Sequence, residues 1–163
     1  MNTIHRIVSS GFRTIFTGTV LLLGIAVSAQ AVDFGDHTSA TLTGKAWDAY
    51  NRGAYPEALE YVAKCVELYE TEALNMQSSL SDFPPTEPRE ATAKYWALND
   101  VGTCLFIKGE ILLKQGNRLT AKEVFTRLRD GFGYAQCWDP KGWYWKPAQA
   151  ARQKIIEIDF DSP

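Results

Sequence analysis

Residues 104–132 read CLFIKGEILLKQGNRLTAKEVFTRLRDGF. In the first half, Leu105, Leu112 and Leu113 line one side. In the second half, Ala121, Val124, Phe125 and Leu128 recur at three- and four-residue spacing, the period of one helical face. Between them, Gly116-Asn117 is a helix stop and a turn. The stretch therefore predicts two helices folded back on each other. Gly109 has no side chain and would let the partner helix approach, and Ala121 would do the same from the other side. Gly116 would reverse the chain, because glycine reaches positive φ at little cost. Phe125 would fill the space that the small residues leave.

An earlier stretch carries the same marks. Residues 46–70 read AWDAYNRGAYPEALEYVAKCVELYE. Gly53 stands where Gly116 stands, and Ala58 follows it at the interval of Ala121. Val62 matches Phe125, Cys65 matches Leu128, and Ala46 matches Gly109, again a small residue. The two copies are 63 residues apart, from Gly53 to Gly116. The chain between them contains SSLSDFPPTEPRE, residues 78–90, whose three prolines read as an exposed loop. A loop insertion is expected at about 72–88. Residues 89–115 then read as one long helix, with Ala91, Tyr95, Leu98 and Gly102 continuing its periodic face.

In its small, turn and aromatic positions the unit resembles the tetratricopeptide repeat (TPR), a helix–turn–helix of 34 residues. The string GAYPEALEYVAKCVEL carries the likeness most clearly. Neither copy has that family's early tryptophan or closing proline, and the 63-residue offset departs from its period. What the resemblance implies is an all-α fold: two TPR-like antiparallel hairpins over residues 41–163, a short α-solenoid. Residues 147–158, PAQAARQKIIEI, would form the C-terminal capping helix, since Pro147 suits a helix start and Ala148, Ala151, Ile155 and Ile158 keep the helical period. An ordinary antiparallel bundle is the alternative. The resemblance also implies a groove lined by the first helix of each unit, which would bind a protein or peptide partner. Those helices carry Trp47, Asp48, Asn51, Asn99, Thr103, Phe106 and Glu110. Two repeats are fewer than the roughly three that usually make a stable stack, so a homo-oligomer is expected.

The front end has another role. After the weakly basic His5, Arg6 and Arg13 comes the uncharged run IFTGTVLLLGIAV, residues 15–27, then SAQA, residues 28–31. This order is that of a Sec-type signal peptide, cleaved after Ala31. The apolar run is short of the roughly 20 residues of a membrane span, so no stable membrane anchor is expected. The mature chain would be periplasmic or secreted, with residues 32–40 a flexible lead-in. It would carry 15 basic and 19 acidic residues and no basic tract, which disfavours nucleic acid.

The chemistry points away from catalysis. The mature chain has one histidine, His37, no CxxC and no phosphate-loop glycine pattern, so no metal and no cofactor are expected. Glu57, Glu60, Glu67 and Glu70 read as a solvated face. Asp139 and Glu110 could serve as acid and base only if the fold brought them together. The remaining signal is aromatic. Residues 134–146, YAQCWDPKGWYWK, hold three of the five tryptophans around an Asp-Pro…Gly turn. Trp138, Trp143 and Trp145 are either a clasp that closes the core or a platform for sugar rings or a peptide. If 143–145 is extended, one tryptophan is expected to face the core and the other to face out. Trp47 and Trp96 each lie beside a packing face and are rim or groove residues. With three cysteines, at most one internal pair forms. Cys104 with Cys137 is the first candidate, with Cys65 buried and free; all three reduced is the alternative. The expected function is an exported, non-catalytic interaction module, an adaptor or assembly factor of the bacterial envelope. The alternative is a carbohydrate- or cell-wall-binding protein using the tryptophans. A third, an accessory to an envelope hydrolase, would need a carboxylate site.

Overall fold

The computed structural model describes residues 32–139 and 141–160. The expected signal peptide, 1–31, lies outside the described residues. The chain is mostly helical. Helix α1 (Ser39–Asn51) and helix α2 (Tyr55–Ser78) form the first hairpin, and helices α4 (Trp96–Lys114) and α5 (Arg118–Gly131) form the second. Between the hairpins lies a short helix, α3 (Arg89–Ala93). After α5 come strands β1 (Cys137–Asp139) and β2 (Trp143–Trp145), then helix α6 (Pro147–Phe160). Helix α1 packs on α2 and α4, α2 on α4, α4 on α5, and α5 on α6.

The two hairpins turn by the same chemistry. Gly53 has φ of 74° and Gly116 of 79°. Gly53 N–H donates to the Tyr50 carbonyl and Ala54 N–H to that of Ala49, both at 2.9 Å. Gly116 N–H donates to Leu113 at 3.0 Å and Asn117 N–H to Leu112 at 2.9 Å. This paired pattern after a left-handed glycine is the Schellman stop. It satisfies the carbonyls a helix end would otherwise leave open.

The helix contact inside the second hairpin rests on Gly109. A Cβ placed there would lie 2.3 Å from a ring carbon of Phe125. Ala121 and Phe125 are fully buried, as are Ala46 and Ala58 in the first hairpin. Where the second hairpin has Gly109 and Phe125 the first has Ala46 and Val62, both buried.

The region between the hairpins differs from expectation in two ways. Helix α2 continues to Ser78, so the loop is 79–88 and not 72–88. Its last turns carry Ala73, fully buried, and Gln77, whose side-chain oxygen accepts from Tyr134 N–H at 3.0 Å. The expected helix 89–115 is also interrupted, at Lys94-Tyr95. In an unbroken helix the Thr92 carbonyl would accept from Trp96 N–H. Here it accepts from Tyr95 N–H (3.2 Å) and from Asn99 Nδ2 (3.2 Å). The Thr92 hydroxyl meanwhile donates to Pro85 O at 2.8 Å. A side chain that competes for a backbone carbonyl ends one helix and starts the next.

The lead-in at 32–40, expected to be flexible, forms a turn and then the first residues of α1. Phe34 meets the edge of Tyr61 at 5.9 Å, and the Tyr69 hydroxyl donates to His37 O at 2.7 Å. Thr38 caps α1, its hydroxyl accepting from Thr41 N–H. Among the described residues no helix is long and apolar enough to cross a membrane.

Candidate functional site

One face of α4 carries Trp96, Asn99, Asp100, Thr103 and Phe106, and one face of α1 carries Ala40, Thr43 and Trp47. Three- and four-residue steps bring each set to one side of its helix. The faces correspond: at the 63-residue offset Ala40 matches Thr103, and Thr43 matches Phe106. Both borders come from the first helix of a hairpin. Helix α3 and the β1–β2 hairpin complete the enclosure. The result is a cavity of about 840 Å³, within the range of small-molecule pockets. All five tryptophans, Trp47, Trp96, Trp138, Trp143 and Trp145, line it.

The hairpin is positioned by specific bonds. Cys137 pairs with Trp145, Trp138 with Tyr144, and Asp139 with Trp143. Its turn closes through Gly142 N–H to Asp139 O (2.9 Å) and Lys141 N–H to Asp139 Oδ1 (2.8 Å). Trp145 rests on Phe106 (5.1 Å between ring centres) and Trp47 (6.2 Å), joining β2 to both first helices. The chain leading into β1 is held by Gln136, whose N–H donates to Asn99 Oδ1 (2.8 Å) and whose side chain donates to Pro84 O (3.1 Å). On the other face Trp138 meets Tyr144 edge-on at 5.1 Å, and the Tyr144 hydroxyl donates to Thr86 O at 3.0 Å.

The hairpin thus closes part of a groove and leaves part of its aromatic surface open. Trp145 is partly buried, whereas Trp138 is 40% and Trp143 50% exposed. The expected reason for such a difference does not hold. Residues two apart on a strand share a face, so Trp143 and Trp145 point the same way. Their exposures differ because Trp145 reaches the first helices and Trp143 lies nearer the turn.

Of the residues expected in a partner groove, Trp47, Asn99, Thr103 and Phe106 border this cavity, together with Trp138, Trp143 and Trp145 of the expected platform. Two residues lie elsewhere. Asn51 is exposed in the last turn of α1 and does not border the cavity. Glu110 is a tie between helices: it accepts from the Tyr50 hydroxyl (3.4 Å) and sits 3.2 Å from the Lys154 ammonium of α6. Asp139 borders the cavity and Glu110 does not, so the two are not an acid–base pair there. Of the α2 carboxylates, Glu57 pairs with Arg52, Glu67 with Lys64 and Glu70 with Arg127, each with its partner at the surface.

The cysteine pairing is corrected. All three cysteines are free, and Cys104 and Cys137 do not meet. Cys104 lies on α4 and Cys137 on β1, against different neighbours. Cys104 lies beside Cys65, and the Thr43 hydroxyl is 3.4 Å and 3.8 Å from their sulfurs. Cys137 meets the neighbouring position, Thr103, at 3.3 Å. The Cys65 thiol, and then burial, hold the Cys104 thiol well above its ordinary range, and burial pushes Cys137 up to about 12. Since the thiolate is the reactive form, the native chain should leave these thiols unlabelled by a thiol reagent at pH 8. All three should react in denaturant without reductant. A Cys104–Cys137 peptide recovered from a non-reducing digest would contradict this.

Two site residues went unread in the sequence. Asp100 is partly buried, flanked on α4 by the buried Asn99 and Val101, and accepts a hydrogen bond from the Ser39 hydroxyl. Burial holds its carboxyl above the usual carboxylate range. A lone charge inside the run ALNDVGTCLFI was the available signal. Arg89 stacks its guanidinium 3.9 Å from the centre of the Trp138 ring. Nothing local marks it, because its partner is far along the chain. Among the described residues no group of three or more His, Cys, Asp or Glu is placed to hold a metal ion. Comparison with protein-family models, with curated proteins and with solved structures gives no match to this chain.

Proposed function

We propose that this protein is a non-catalytic binding module of the bacterial envelope, TPR-like in design, that takes part of a protein or peptide partner into the five-tryptophan cavity. The observation that carries this reading is the convergence of every tryptophan in the chain on one open cavity. Tryptophan is enriched among the residues that carry most of the energy of a binding surface. A ligand there would gain rigid aromatic area at little entropic cost. The TPR reading is supported by the two matching Schellman turns and by the first-helix faces that border the cavity in both copies. Export and a periplasmic or secreted location rest on the order of residues 1–31.

The alternative, a sugar or cell-wall ligand, is favoured by the exposure of Trp138 and Trp143. One experiment addresses both. The protein is used to capture partners from an envelope extract, alongside a Trp138→Ala/Trp143→Ala variant. The variant loses the contacts of Trp138 with Arg89 and Tyr144 and should melt somewhat below the wild type yet keep its helical fold, which far-UV circular dichroism checks. The expected result is a protein partner retained by the wild type and depleted at least tenfold by the variant. Capture reversed by soluble cell-wall glycan would favour the alternative. Equal capture by both proteins would remove the cavity from the function.

A further inference from the structure

The cavity has a charge pattern as well as an aromatic wall. Its charged border residues are Glu90, Asp100, Asp139 and Arg89: three carboxylates and one guanidinium. The guanidinium is already engaged, stacked on Trp138. Asp100 is partly buried, whereas Arg89 and Glu90 are exposed. Its one hydrogen bond comes from Ser39, and among the described residues no cation pairs with it. Even a partly buried carboxylate without a counter-ion loses some of its hydration and gains from a cation placed beside it. The walls around it are indole rings, whose faces carry the negative end of the ring quadrupole and attract cations, tryptophan most strongly. The Arg89–Trp138 stack is that attraction already used inside the molecule.

We propose that the cavity binds a substituted ammonium group, seated among the tryptophan rings with its charge against Asp100. This rests on the reading of the cavity as a ligand site and names the chemistry of what enters it. A quaternary or methylated ammonium suits the site better than a bare one, because its methyl groups spread the charge over the apolar wall and cost less to strip of water. A neutral sugar can donate hydroxyls to Asp100 but does not balance its charge. The cation could be a free small molecule or the side-chain head of a partner peptide, and the chemistry of the site is common to both.

Asp100 makes the binding sensitive to pH. The groups facing it are Ser39 and Thr43 of α1, Cys137 of β1 and Cys104 of its own helix, with Arg89, Glu90 and Asp139 on the cavity border. Both thiols are raised and remain neutral, so Asp100 is the charge at the centre that titrates. Its protonation at acid pH removes the anion, and cation affinity should fall with it.

The test uses tryptophan fluorescence of the full chain. The probes are tetramethylammonium, choline and 3,3-dimethylbutanol, the uncharged isostere of choline. Two peptides of one sequence, with lysine or trimethyl-lysine, complete the panel. The expected result is saturable quenching by the cations at least tenfold tighter than by the neutral isostere. In Asp100→Asn, Ser39 keeps an oxygen acceptor and no charge is buried, so the variant should melt at or above the wild-type temperature. It should lose the preference for cations and the pH dependence. Tighter binding of the trimethyl-lysine peptide than of choline would place the cation on a partner chain, and the reverse would place it on a small molecule; both support the proposal. Equal binding of choline and its isostere, or an unchanged cation preference in folded Asp100→Asn, would overturn the proposal and leave the cavity a ligand site. If no probe binds and the Trp138→Ala/Trp143→Ala variant also captures partners undiminished, both readings fall.

Discussion

Gly109→Val is expected to cost the protein more than about 3 kcal/mol, a large share of the roughly 5–15 kcal/mol that holds a domain folded. The reason is one contact. Even a single Cβ at 109 would lie 2.3–2.8 Å from three ring carbons of Phe125, where carbon atoms rest at about 3.5–4.0 Å. The ring cannot move aside easily: it is fully buried and sits 5.7 Å from the ring of Phe106. Gly109→Ala should be milder. It recovers about 1 kcal/mol of helix propensity and loses about 1–3 kcal/mol to overpacking. Phe125→Leu alone should destabilise by leaving a void, yet in the Gly109→Ala background it should cost less. That sign of coupling is the signature of residues in contact. Urea denaturation of the four proteins measures it. A Gly109→Val protein with the wild-type midpoint would mean that α4 and α5 do not pack through this pair.

Asn99→Ala should have the second-largest effect, about 2–3 kcal/mol, through two elements at once. The side chain accepts from Gln136 N–H and donates to the Thr92 carbonyl. Gln136 N–H is buried, and stranding a buried donor costs about 1–3 kcal/mol. The Thr92 carbonyl loses only part of its bonding, since Tyr95 N–H also reaches it. Because Gln136 precedes β1, the loss should also loosen the hairpin that carries three of the tryptophans. A second readout follows. Cys137 is adjacent to Gln136 and its thiol is raised by burial, so a thiol reagent should label it faster in the variant while Cys65 and Cys104 stay protected. Uniform labelling of all three would indicate global unfolding, and unchanged labelling would show that the hairpin does not depend on Asn99. Asn99→Asp should rescue only in part, since a carboxylate can accept from Gln136 but cannot donate to Thr92.

The pairs of small and aromatic residues were legible because they are local. A glycine that reverses a chain, an alanine five residues on and an apolar residue four beyond that all act within one helical hairpin. Both turns and both packed faces appear where those intervals place them. The break at Lys94-Tyr95 was not legible, because the propensity of residues 89–115 favours one helix and the competing bond comes from the Asn99 side chain. The extent of α2 was misread although Glu72, Ala73, Leu74, Met76 and Gln77 are good helix formers: the three prolines that follow drew the loop back over them, and the burial of Ala73 and the bond from Gln77 to Tyr134 come from the rest of the fold.

By itself the sequence determined two helical hairpins, their turns and the small-to-large fit between their helices, since each depends on dihedral preferences and spacings within a few turns of chain. Only the tertiary structure decided the site. Trp47, Trp96 and Trp145 sit on three different elements, Arg89 finds Trp138 across a loop, and Asp100 becomes a partly buried charge without a counter-ion only where α1 and the β hairpin meet α4. Periodicity reports which face of a helix is apolar. It carries no information about which distant faces will meet, and it is that meeting which turns five scattered indoles and one carboxylate into a cavity.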